Sequence, residues 1–204
     1  LFVKNIKKPF ILFVAQVYND ASQLFTLEEN ISSPEEVIEC VTNIAREIDC
    51  DLIIKLHPKE FNGKDPITRE PYDLITYKRI KHLESEHTII DFNNSYNTFE
   101  LIKQSRMVVT VNSQAGLEAC LFNKPVLTYS KGFYSNLGFT HDYSSKRDLR
   151  YLITNLIANG DVSNRSIAEA KLFFYVFYEE YCIVRSSNSL VNKTLEIGAF
   201  KKPH

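Results

Sequence analysis

Val108-Val109-Thr110-Val111-Asn112-Ser113-Gln114-Ala115-Gly116-Leu117-Glu118-Ala119-Cys120 changes character at its middle. A β-branched run ends in two small polar residues, and small residues at helical spacing follow at once. The first part reads as a buried strand, the second as a helix packed close against it. A parallel strand that passes directly into a helix aims the helix N-terminus at whatever lies beyond the sheet edge. The unpaired amides and the macrodipole there favour an anion, and the Ser113 hydroxyl adds a donor. Glu118 lies one turn on, on the face of Gln114. Helical side chains lean toward the N-terminus, so its carboxylate reaches back to the helix mouth. Beside a phosphate a carboxylate is repelled; beside ribose hydroxyls it accepts two hydrogen bonds. The stretch therefore points to a nucleotide, with Ser113 on a phosphate and Glu118 on a sugar. The competing reading makes Ser113 a plain N-cap, a common role for serine, and Glu118 a solvated surface residue.

Outward from this junction the same alternation repeats. Residues 10–15 form an apolar run after Pro9 and read as a first strand, ending at Gln16 in a polar loop over 17–32. Ser33-Pro34-Glu35-Glu36 opens a helix, with Ser33 as N-cap, Pro34 at the first position and Glu36 closing a capping box. Val37, Ile38, Val41, Ile44, Ala45 and Ile48 give that helix its stripe. Residues 51–56 form a second strand, closed by His57-Pro58. Residues 59–72 are polar, with Gly63, Pro66 and Pro71, and are expected to be a mobile loop. Further strands are predicted over 88–92, 107–111 and 125–129, and helices over 73–84, 96–104, 114–122 and 146–158. Residues 131–145 read as an aromatic loop. Strands apolar throughout, alternating with helices, define an α/β class: a three-layer Rossmann-like domain on a parallel sheet of five or six strands. Right-handed crossovers bring every strand's carboxyl end to one edge, where such sheets bind ligands. That edge collects Gln16 to Asp20, His57-Pro58, Asp91 to Asn94, Asn112-Ser113 and Ser130 onward.

At this edge His57 is a second candidate. Pro58 excludes helical geometry at His57, so its ring projects predictably from the strand end. Lys55 shares its face by alternation, and the two are expected to neutralise a departing phosphate. A loop histidine before a structural proline is the other reading.

Residues 167–181 are helix-periodic but apolar almost all round. They suit a core helix between layers, or a cover for a second domain or subunit. Residues 1–8 read as a linker from a missing N-terminal domain, 9–184 as one domain and 185–204 as a loose tail. Leu1 in place of a start methionine suggests a segment of a longer protein.

Composition narrows the classes. The 204 residues, 44% hydrophobic, are enough for one sizeable core. A net charge of -1 with dispersed basic residues argues against nucleic acid as a partner. Cys40, Cys50, Cys120 and Cys182 lack CxxC spacing and read as reduced structural thiols of a cytosolic protein. The five histidines show no ligand spacing, so no metal is expected. Six glycines make neither GxGxxG nor GxxxxGK[ST], and no GxSxG elbow exists, so no dinucleotide cofactor, P-loop or hydrolase centre is expected.

Gln16 with Asp20, then Ile54-Lys55-Leu56-His57-Pro58, then Val109 to Ala119, then Lys124-Pro125-Val126 appear in order. Together they resemble the C-terminal half of the capsule polysaccharide biosynthesis family, over residues 9–145. That family's best-understood members are Kdo transferases, similar to glycosyltransferases of the GT-B type, with two Rossmann-like domains facing across a cleft. The resemblance implies a nucleotide-sugar donor, a CMP-sugar such as CMP-Kdo, held by Gln16, Asp20, Lys55, His57, Asn112, Ser113, Gln114 and Glu118. By it His57 and Ser113 contact the donor phosphate and Glu118 the nucleotide's sugar. The catalytic acid or base is expected in the N-terminal domain, and the acceptor is a glycan or glycolipid. The expected location is the cytoplasm, with peripheral assembly at the inner face of the cytoplasmic membrane. Competing readings are a non-catalytic nucleotide- or partner-binding module, a glycerophosphate transferase and a sugar-nucleotide epimerase.

Overall fold

The computed structural model describes residues 9–21, 31–159 and 164–181. Six strands form one parallel sheet: β1 (Phe10–Val14), β2 (Asp51–Lys55), β3 (Thr88–Asp91), β4 (Met107–Val109), β5 (Val126–Tyr129) and β6 (His141–Tyr143). Their order is β3-β2-β1-β4-β5-β6. This is a doubly wound sheet, and the order reverses between β1 and β4, where a crevice opens beyond the strand ends.

The uniform apolarity of β1 follows from its central place. Ile11 and Phe13 face one core cluster and Phe10, Leu12 and Val14 the other, all buried. The first cluster is covered by α1 (Pro34–Glu47), through Val37, Ile38, Val41 and Ile44, and by α6 (Lys146–Asn159), through Leu149, Ile153 and Leu156. The second is covered by α4 (Thr98–Gln104) and α5 (Gln114–Leu121), and by Ala170 of α7 (Asn164–Val176). Two further short helices are α2 (Pro58–Asn62) and α3 (Ile75–Ile80). The α1 start is as predicted: Ser33 Oγ accepts from Glu36 N at 3.3 Å. The Glu36 carboxylate, however, turns to Ser32 and to Lys146, the latter at 2.7 Å.

Three expectations change. Residues 59–72 are not a plain polar loop. Glu60 is buried and accepts from Tyr18 N at 3.0 Å, Thr76 N at 3.0 Å and Thr76 Oγ1 at 2.6 Å. Asp65 accepts from Ile67 N and Thr68 N, both at 2.8 Å, and from Asn19. Two buried carboxylates thus organise a segment whose sequence looks solvated. β6 lies inside the expected aromatic loop. Its three residues carry no apolar alternation, and it is fixed by Tyr143, whose hydroxyl donates to Thr110 O at 2.9 Å. The aromatic helix is two-sided rather than a core helix. Ala170 is buried and Phe173 and Phe174 pack on the sheet cluster, while Leu172 and Tyr175 are about two-thirds exposed. The expected linker 1–8 and tail 185–204 lie outside the described residues. No helix among the described residues is long and apolar enough to cross a membrane.

Beneath the sheet edge, Lys55 Nζ lies 2.7 Å from Asp91 Oδ2 and 2.6 Å from Asn94 Oδ1, with the Lys55 side chain almost wholly buried. Asp91 also accepts from Ser95 N at 2.7 Å and Tyr96 N at 3.3 Å. Removing one member strands the other charge in the interior. Lys55→Met should lower the unfolding free energy by about 3 kcal/mol in urea denaturation, and Lys55→Met with Asp91→Asn should recover part of that loss.

Candidate nucleotide cleft at the sheet edge

The cleft is built from the reversal between β1 and β4. Thr110 Oγ1 donates to Val14 O at 2.9 Å and accepts from Ser113 N at 3.2 Å, so one hydroxyl ties the end of β1 to the start of α5. Gln16 Oε1 accepts from Asn112 N at 3.0 Å, a second tie across the same gap. Asn112 Oδ1 in turn accepts from Phe133 N at 3.0 Å and fixes the loop after β5. Ser113 is the N-cap of α5, its Oγ accepting from Ala115 N at 3.3 Å. Below it, the buried Tyr134 hydroxyl donates to Ser113 O at 2.7 Å. A Cβ on Gly116 would lie 2.2 Å from that hydroxyl, so glycine is what admits Tyr134.

His57 has extended backbone (φ -66, ψ 132), as Pro58 requires, and caps α2: its Nδ1 accepts from Lys59 N at 3.2 Å. That bond places the proton of the neutral ring on Nε2. Burial, helped by the Lys59 charge, pushes the His57 pKa down, so near neutral pH the ring is an uncharged donor. Glu118 accepts from Gln114 Nε2 at 3.3 Å, and burial pushes its carboxyl pKa up. Gln114 also bonds the Tyr178 hydroxyl beyond the end of α7.

These groups line two adjoining lobes. The wider, of about 500 Å³, is walled by Gln16, Asp20, His57, Asn112, Ser113, Gln114, Phe133 and Phe177. The narrower, of about 310 Å³, includes Lys55, His57, Thr98, Phe99, Ser113, Gln114 and Glu118. His57, Ser113 and Gln114 belong to both and form the waist. All eight sequence-predicted site residues therefore meet at one edge, in different capacities. Gln16 and Asn112 use side-chain atoms to hold the frame. Lys55 does not offer the isolated charge expected of it: Asp91 and Asn94 engage its ammonium below the cleft floor. Sequence reasoning missed Thr98, Phe99, Phe133 and Phe177. The two rings in the wider lobe come from the aromatic loop and the aromatic helix, both noticed but given no role.

Residues 3–158 match the family model described as capsule polysaccharide biosynthesis protein. The chain belongs to this family. The capsule polysaccharide export protein KpsS of Escherichia coli is 26% identical over 144 residues, 68% of this chain and 34% of that protein. In fold the chain is similar to the Thermosulfurimonas dismutans KpsC beta Kdo 2,4 transferase, with a TM-score of 0.50 and 19% identity, over 82% of this chain and 53% of that one. This member of the family thus spans about a third and about half of the lengths of those two relatives.

Two outcomes follow from the geometry. Gly116→Ala forces Tyr134 off the Ser113 carbonyl and should cost about 2–3 kcal/mol in chemical denaturation; adding Tyr134→Phe, which removes the clashing oxygen, should restore part of it. The His57 pKa lies below the unfolded value of about 6.5, so between the two values the unfolded chain binds more protons. Stability should therefore fall as pH drops through that window and level off beneath it, and His57→Gln should flatten the fall in denaturation series from about pH 7.5 to 5.

Proposed function

We propose that this chain is the donor-binding part of a glycosyltransferase that builds capsular or other surface polysaccharide, with a CMP-sugar such as CMP-Kdo as donor. One observation carries the reading: the N-terminus of α5 and the uncharged His57 share the waist of the cleft, and Glu118 lies one helical turn away. Amides and a neutral imidazole donor suit a phosphate. The half-buried carboxylate suits ribose hydroxyls and disfavours a second phosphate beside it. During transfer the bond between sugar and nucleotide phosphate breaks, and negative charge grows on the phosphate. His57 and the amides behind Ser113 stabilise that charge, while Lys55 acts through the floor it braces. The base or nucleophile that acts at the sugar, and the glycan or glycolipid acceptor, belong to an N-terminal domain of GT-B type facing this one. Family membership and the KpsC-like fold support this assignment. The protein works in the cytoplasm, at the inner face of the membrane where its acceptor is assembled.

Isothermal titration of this chain with CMP, CDP, UDP and GDP tests the reading. CMP should bind, with no turnover by this chain alone. His57→Ala and Ser113→Ala should each weaken binding about tenfold, as expected for losing one hydrogen bond to a charged group. Absence of binding by all four nucleotides, or full affinity in both variants, would remove the basis of the assignment.

A further inference from the structure

The wider lobe contains two aromatic rings that the phosphate and ribose contacts leave unused. Phe133 is 45% exposed although it is a large apolar residue. It is nonetheless fixed in place. Its backbone amide is bound by Asn112 Oδ1 at 3.0 Å, and the preceding Gly132 packs so tightly there that a Cβ would lie 2.8 Å from the same oxygen. Its ring meets Tyr134 edge-on at 4.8 Å and leans on Phe177 at 5.5 Å. Phe177 is backed by Phe173, stacked at 6.1 Å with 11° between planes. A braced aromatic surface on a polar cleft is costly to leave in water and is common in ligand sites.

The order of the lobes gives it a ligand. On the donor-binding reading, on which this inference rests, the phosphate sits at the waist and the ribose beside Glu118 in the narrower lobe. The group on the far side of the phosphate must then extend into the wider lobe. We propose that Phe133 and Phe177 form the subsite for the donor's transferred sugar, a pyranose laid with a C–H face on the rings and hydroxyls toward Gln16 and Asp20. The ring faces carry partial negative charge and attract weakly positive C–H groups, while the carboxylate and amide accept and donate to hydroxyls. The rings thus act on the sugar and not on the nucleotide. They make this surface the part of the cleft that distinguishes a charged donor from the spent nucleotide.

Titration calorimetry on the full chain separates these roles, with CMP against CMP-Kdo and CMP-N-acetylneuraminate, and UDP against UDP-N-acetylglucosamine. The unsubstituted chain should bind one sugar conjugate more tightly than its free nucleotide. Phe133→Ala and Phe177→Ala should cancel that advantage, weakening the conjugate up to about tenfold while changing the free nucleotide less than about twofold. Phe133→Tyr should retain the advantage. Thermal unfolding verifies that each variant is folded; should Phe133→Ala not fold, Phe133→Leu keeps apolar volume without a ring face and takes its place. The sugar subsite is overturned if the variants weaken free nucleotide as much as conjugate, which would assign the rings to the base, if they change neither, or if no conjugate binds more tightly than its nucleotide. Those results leave the donor-binding reading standing. Failure of every nucleotide and conjugate to bind the unsubstituted chain overturns both.

Discussion

The carbonyl of Ser113 receives the hydroxyl of a buried tyrosine, and that contact exists only because residue 116 has no side chain. Tyr134 enters from the loop after β5, so the bond joins the start of α5 to a segment about twenty residues further along. Thr110 and Gln16 pull the same turn toward β1. The strand-to-helix junction is therefore held from both sides of the sheet reversal, and its amides face the cleft without needing a ligand to order them. On the proposed function, an anion site preorganised in this way avoids the reorganisation that would otherwise weaken charge stabilisation. It also leaves little slack: a methyl group at 116 disturbs the helix start, the loop carrying Phe133 and the second core cluster together.

Charge at the sheet edge is arranged by burial more than by number. Lys55 lines the narrower lobe at the end of β2, yet its ammonium is balanced by Asp91. His57 is kept uncharged by its surroundings, and Glu118 is half-buried beside a polar amide. The cleft thus offers hydrogen-bond donors with little net positive charge. Such a site holds a phosphate by directed bonds and loses less affinity with salt than a cluster of exposed lysines would. On the proposed function it also suits release, since a strongly cationic pocket would retain a nucleotide that had gained charge on losing its sugar.

Much of this was legible beforehand, and the reasons are specific. Phe10 to Val14 had to be central, because five consecutive apolar residues need cover on both faces. His57 had to be extended, because proline follows it. The convergence of Gln16, His57 and Ser113 follows from parallel topology alone. What was not legible depends on long-range partners. Glu60 and Asp65 look like solvent-facing loop residues until Tyr18, Thr76 and Asn19 are brought to them by the fold. β6 has three residues of mixed polarity, and its position rests on a tyrosine hydroxyl reaching a carbonyl of another segment. Lys55 had the right face and the wrong neighbour: alternation along β2 gives direction, but Asp91 arrives from β3 at a register that spacing within one strand cannot reveal.

The aromatic helix illustrates the same limit in a more consequential way. Its composition suited either a core helix between layers or a cover for a second domain or subunit, because few free surface helices carry aromatic residues on most faces. In the fold its large apolar side chains divide among three tasks. Phe173 and Phe174 close the second core cluster, Phe177 braces Phe133 in the cleft, and Leu172 and Tyr175 remain on the surface. Tyr178 adds a hydrogen bond to Gln114 in the first turn of α5. A helix that meets the core at one end and the cleft at the other couples them. Just past the end of α7, Phe177 rests on Phe133 in the wider lobe and Tyr178 holds Gln114 at the waist, so one segment contacts both parts of the cleft.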